Sequence, residues 1–134
     1  MVFSSIISKA VTLIVCRKDR KMLFTESLKK RKDFQLVYSR GKSYANRYLV
    51  MYRMKNHTDK VRLGISVSKK VGNSVVRHRI TRLIRESYRL NEEKFDAGYD
   101  YVVIARAGTK GISYSDMESA LLHVGGLHRK KNEE

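Results

Sequence analysis

KKVGNSVVRHRITRLIRESYR, residues 69–89, is the stretch that organises the rest of the chain. Two lysines and a Gly72-Asn73 turn lead into a segment that carries Arg77, Arg79, Arg82, Arg85 and Arg89 among Val76, Ile80, Leu83 and Ile84. Successive residues of a helix turn by roughly 100°, so the four apolar residues gather on one side and Arg79, Arg82, Arg85 and Arg89 on the other. Gly72 supplies backbone freedom at the turn, and Asn73 or Ser74 caps a helix over 75–88. Such a helix buries one face and offers the opposite one to something acidic.

Working upstream, VRLGISVS (61–68) alternates Val61, Leu63, Ile65 and Val67 with Arg62, Gly64, Ser66 and Ser68, which predicts a half-buried strand. The small residues Gly64, Ser66 and Ser68 would let a ligand backbone approach closely. KSYANRYLVMYRMKN (42–56) reads as one strand, reversed by Asn56-His57-Thr58-Asp59. Before it, ESLKKRKDFQLVYSR (26–40) predicts a helix capped by Ser27 and stopped at Gly41, with Phe34 and Tyr38 on one face. Core packing is the plain alternative for Phe34. Downstream, 91–100 is a polar connection and YVVIA (101–105) a strand suited to the middle of a sheet. A last helix opens at Ser113 or Ser115 and presents Met117, Ala120, Leu121, Val124 and Leu127; Gly125-Gly126 weakens it, and the tail HRKKNEE is expected to fray. Helix, two antiparallel strands, helix, strand, helix is the order of an α/β (α+β) two-layer sandwich on a small sheet of about four strands.

Composition bounds the partner. A chain of 134 residues is one domain with a modest core. Its 29 Lys plus Arg against 13 Asp plus Glu leave +16, a self-repelling charge that makes sense beside a polyanion. Nucleic acid is the first candidate and an anionic membrane surface the second. The single cysteine, Cys16, excludes an internal disulfide framework and a Cys-rich zinc module, and points to a reduced, cytoplasmic setting. Residues 1–21 differ from the rest. Their apolar run is shorter than the roughly 20 residues that span a bilayer, and their charges follow it rather than precede it as in a signal peptide. Phe3, Ile6, Ile7, Ala10, Val11 and Ile14 fit an amphipathic interfacial helix. The plainer expectation, which we adopt, is a non-essential extension ahead of a single domain over 22–134. Without 1–21 the chain keeps 24 basic and 12 acidic residues, a charge of +12, so the basic character belongs to the domain.

No constellation for protein-borne catalysis assembles from the sequence. His57, His78, His123 and His128 lack metal-type spacing, and no serine sits in a GxSxG elbow. Gly41-Lys42-Ser43 imitates the end of a phosphate-binding loop, but Leu36 stands where its first glycine would be. A nucleic-acid interface, by contrast, has its parts. Arginine forks hold phosphate oxygens bidentately, and Phe34, Tyr38 and Tyr52 can stack on unpaired bases. A solvated helix face is the alternative for the arginines, but such faces mix signs, and Glu86 is the only acid between Lys69 and Leu90. His78 lies on the same face and adds charge only when protonated.

KKVGNSVVRHRITRLIRE, together with RKDFQLVYSRGKSYANRYLVMY, LGISVSKK and DYVVIAR, resembles the protein subunit of bacterial ribonuclease P over about 28–127. The resemblance implies a subunit without catalytic residues of its own. It would assist a catalytic RNA that removes the 5′ leader of precursor tRNA, with Mg²⁺ bound mainly through that RNA. It further implies that Lys69, Lys70, Gly72, Asn73, Arg77, Arg79, Arg82 and Arg85 face the catalytic RNA and the nearby leader; His78 and Arg89 join them by position. Phe34, Tyr38 and Tyr52 would line a leader-binding cleft floored by the sheet, where Ser66 and Ser68 also lie. A left-handed crossover between parallel strands is implied too, against the general right-handed rule. No obligate protein partner and no membrane are expected. Two positions depart from the family pattern: His78 stands where an asparagine is usual, and Thr81 replaces a common basic residue. The readings set against this one are a self-sufficient nuclease, a non-catalytic RNA-binding protein of the translation apparatus, and a membrane-surface protein.

Overall fold

The structure is a computed structural model that describes residues 25–133; the extension over 1–21, with its amphipathic reading, lies outside them. YVVIA is the centre of the sheet, where β5 (Tyr99–Ala105) buries Val102 and Val103 on opposite faces. A strand covered on both sides is apolar nearly throughout, because successive side chains alternate between the faces. β4 (Val61–Ser66) pairs parallel to it and β3 (Leu49–Lys55) antiparallel, so that Gly64 and Tyr52 both lie opposite Val102. β2 (Lys42–Ala45) adds to β3 and β1 (Thr25–Ser27) to β4, giving the order β1-β4-β5-β3-β2. Three helices complete the sandwich: α1 (Arg31–Arg40), α2 (Ser74–Leu90), which crosses between β4 and β5, and α3 (Tyr114–Glu133). The α+β sandwich stands as expected, with five strands in place of about four.

The fifth strand is a correction to the reading of 26–40 as one helix. Leu28 is buried and its N–H donates to Leu63 O at 2.8 Å, so this backbone bonds to β4 instead of closing a helical turn. Ser27 therefore ends β1 and caps nothing. α1 starts after Lys30 without a side-chain cap, and Asp33 supplies the favourable negative charge in its first turn. The single strand over 42–56 is likewise two, because Asn46 turns the chain. Its Oδ1 accepts from the N–H groups of Tyr48 and Leu49 at 3.0 and 2.9 Å, while its Nδ2 donates to Ala120 O at 2.8 Å. The turn at Asn56 forms as expected, with Asn56 Oδ1 accepting the Thr58 N–H at 3.0 Å. The strands it joins run in opposite directions but are not neighbours, since β5 lies between them. Ser113 Oγ accepts the Asp116 N–H at 3.2 Å at the start of α3, which runs on through Gly125-Gly126 and the tail to Glu133.

Two clusters flank the sheet. Ile80, Ile84 and Tyr88 of α2 and Met117, Leu121 and Val124 of α3 pack on Leu49, Met51, Leu63, Tyr101 and Val103. Full burial of each such side chain contributes about 1.5–3 kcal/mol. The opposite face holds a smaller cluster, in which Leu28, Val37 and Val102 meet half-buried Phe34, Tyr52, Met54 and Ile104. α1 is tied to that face at one end. Asp100, buried, accepts from Arg62 Nε and Nη2 at 2.8 and 2.6 Å and from Asn56 Nδ2 at 2.9 Å, and Arg62 also lies 3.5 Å from Asp33 of α1. Under α3, His128 is 1% exposed with Nε2 2.8 Å from Met51 O. Arg53 donates to His128 O at 3.2 Å and lies 4.3 Å from the centre of the Tyr99 ring.

Candidate nucleic-acid interface

α2 opens where Asn73 Oδ1 accepts the Val76 N–H at 3.0 Å, which satisfies one of the unpaired donors of the first turn. The backbone freedom expected of Gly72 is not used for a positive φ, which among the described glycines Gly98 and Gly111 adopt. Its contribution is space: a Cβ there would stand 2.7 Å from Val76 Cγ1. The close turn brings Lys69 and Lys70, both exposed, to the mouth of the helix.

His78, Arg79, Arg82 and Arg85 are exposed, and Arg77 is half-buried. Among the described residues no acid pairs with Arg79, Arg82 or Arg85. Arg79 donates Nη2 to Ile112 O at 2.8 Å, which ties α2 to the loop before α3. Arg89 departs from the expected face. It is 6% exposed and folds back on Glu86 one turn earlier, Nε to Oε2 at 3.2 Å, with a second bond from Nη2 to Oε1. Glu86 is thus occupied within the helix, and the arginines nearer its start keep their charge for an outside anion.

The three aromatic candidates form one row. Phe34 and Tyr38 of α1 lie 6.3 Å apart between ring centres, and Tyr38 meets the Tyr52 ring edge-on at 5.1 Å. Tyr38 is 39% exposed, while Phe34 and Tyr52 are half-buried. Gly64 is not open to a ligand as expected, because the Phe34 ring occupies its face: a Cβ there would be 2.6 Å from Phe34 Cζ. Beyond the ring the sheet opens. Ser66 lies opposite Ile104 and Ile104 opposite Val50, all three half-buried, so this row of the sheet is only partly covered. Ser68, past the end of β4, is exposed. Residues 67–73 run from this open surface to the arginine helix, so the two groups of candidates are joined by one short segment.

Two cations escaped the sequence reading. Arg47 is exposed at the β2–β3 turn, and Arg106, exposed after β5, donates Nη1 to Asn46 O at 2.9 Å. The signal was the turn itself, which reading 42–56 as one strand erased. Among the described residues no group of three His, Cys, Asp or Glu side chains could hold a metal ion, and no helix is long and apolar enough to cross a membrane.

The Ribonuclease P family model matches residues 22–127. The chain belongs to the bacterial ribonuclease P protein family. Among ribonuclease P protein components, that of Lachnoclostridium phytofermentans is 62% identical over 105 residues, covering 78% of this chain and 90% of the relative. That of Clostridioides difficile is 52% identical over 101 residues, covering 75% and 89%. The Staphylococcus aureus ribonuclease P protein structure aligns with a TM-score of 0.71 at 42% identity, over 76% of this chain and 94% of that one. The Thermotoga maritima ribonuclease P protein aligns at 0.70 and 35%, over 75% and 94%.

Proposed function

We infer that this chain is the protein component of a ribonuclease P, the accessory subunit of a ribonucleoprotein endoribonuclease that removes the 5′ leader from precursor tRNA. Its work is binding, and the partner RNA carries the hydrolysis. The observation that supports this most is the exposed, acid-free face of Arg79, Arg82 and Arg85, joined by the Lys69-Lys70 turn to an open sheet surface with an aromatic row. The arginine face suits the phosphates of a folded catalytic RNA, because desolvated guanidinium–phosphate pairs replace condensed counterions. The aromatic row suits the unpaired bases of a leader, which stack without regard to sequence. Mg²⁺ enters this reading as the metal of the RNA, whose folding and chemistry the protein supports when the ion is scarce.

Leader cleavage by the reconstituted catalytic RNA, with and without the protein, tests the reading. At low Mg²⁺ the wild-type chain is expected to accelerate cleavage, and the Arg82→Ala/Arg85→Ala pair to lose that gain and recover it as Mg²⁺ is raised. Protein alone is expected to cleave nothing. Wild-type rates from the double variant at low Mg²⁺ would falsify the role given to this face.

A further inference from the structure

We propose that a cavity between α2 and the uncovered edge of β4 is a second RNA site, which takes one unpaired base together with its phosphate. It lies on the α2 side of the sheet, away from the aromatic row, and rests on the reading of α2 as an RNA-facing helix. Leu63 and Ile65 form an apolar wall, Ser27 and Leu28 border it where β1 ends, Thr81 stands on the helix side, and Lys29 and Arg85, both exposed, supply two cations.

The edge of β4 supplies the recognition. β1 ends at Ser27, and the last bond it extends to β4 is from Leu28 N–H to Leu63 O at 2.8 Å. Every second residue of a strand turns its N–H and C=O to the same side, so Ile65, two beyond Leu63, turns both toward the edge that β1 has vacated. A donor and an acceptor side by side above an apolar wall match the edge and face of a nucleobase, whose polar edge carries the same kinds of group. The Thr81 hydroxyl already donates to Arg77 O at 2.9 Å, so the backbone of Ile65 supplies the donor of the pair, with the Ser27 hydroxyl and the Thr81 oxygen beside it.

Size and charge narrow the ligand. The cavity is about 130 Å³, well under the roughly 300–1,000 Å³ of sites that enclose whole small molecules. A bare phosphate has no use for the apolar wall, and an apolar ligand has none for Lys29 and Arg85. A flipped-out base with its phosphate at the mouth uses all of them. Such a base comes either from the catalytic RNA or from the precursor leader, which are chemically alike.

Two variants test the site in the assembled holoenzyme. Thr81→Phe fills the cavity, and Lys29→Gln removes a cation from its mouth without touching the core. Catalytic RNA, and precursor with or without its leader, are probed with dimethyl sulfate for base accessibility in the presence of each protein. Wild-type protein is expected to protect a few unpaired bases that Thr81→Phe leaves reactive. Affinity for the RNA that carries them is expected to fall by about fivefold to a hundredfold, the worth of one stacked base. Lys29→Gln is expected to lower the salt dependence of that affinity by about one unit of log–log slope. Protection in the catalytic RNA identifies it as the source, and protection in the leader identifies the precursor. Identical protection and affinity for wild type and both variants overturn the site, and if Thr81→Phe does not fold, an unchanged Lys29→Gln overturns it alone. A wild-type protein that protects no base in either RNA but still binds the catalytic RNA overturns the site alone, whereas one that binds neither RNA overturns the arginine-face reading as well, which separates the two failures.

Discussion

Arg85 and Arg89 sit one turn apart on the same helix and have opposite fates. Arg85 is exposed, whereas Arg89 is folded onto Glu86 and buried. Helical angle alone groups them, because it counts where Cα points and ignores what lies one turn back for the side chain to reach. The Arg89→Ala variant is therefore expected to cost about 1 kcal/mol in urea unfolding, mainly through the lost packing of a buried side chain because the Glu86 carboxylate is 39% exposed and regains water, with RNA affinity of the folded fraction unchanged. An Arg89→Ala chain of wild-type stability that binds RNA poorly would return this residue to the interface. Gly64 shows the same blindness from the other direction. Its smallness was legible as room for a visitor, but the occupant is Phe34 from the same chain. Gly64→Ala is expected to push the ring aside, costing about 1–3 kcal/mol in stability and weakening precursor more than mature tRNA in binding measurements. Equal losses for both RNAs would mean that the ring serves only the core.

Among the elements, α2, β4 and β5 were legible because each repeats one pattern along its length: a capped apolar stripe in α2, a strict alternation in β4 and an unbroken apolar run in β5. β1 was not. Leu28 falls in phase with Phe34 and Val37, and only the distant partner Leu63 decides that its N–H joins a sheet. The split of β2 from β3 rests on Asn46, whose side-chain turn has no hydrophobic periodicity to announce it. α3 carries a weakness that was legible and is uneven. A Cβ at Gly125 would come within 3.1 Å of the Phe95 ring, while one at Gly126 meets nothing within 4 Å. Gly126→Ala is expected to raise stability by about 0.5–1 kcal/mol, because it lowers the entropy lost on forming the helix. Thermal unfolding checks it, and a fall in melting temperature would show that this helical turn needs its glycine.

For the whole molecule, acid is expected to loosen the packing of α3 on the sheet. Burial, with some help from the Arg53 charge, holds the His128 imidazole below its ordinary pKa of 6.5. The unfolded chain then takes up the proton first, so stability that is complete above about pH 6.5 declines as the pH drops below it. The urea midpoint should fall between about pH 7.5 and about pH 5.5, and His128→Gln should flatten that fall whatever it does to the midpoint itself. A slope that His128→Gln leaves unaltered would assign the acid sensitivity elsewhere. The order of strands has a consequence for the making of the protein. β5, the last strand in the chain, is the one that joins β3 to β4. On the ribosome, the aromatic helix and the arginine helix emerge before the strand that unites their two halves of the sheet exists. The newborn chain passes through an interval in which its basic arms are synthesised but unanchored, surrounded by ribosomal RNA. A premature stop ahead of Tyr99 would release an adhesive polycation in place of a smaller domain.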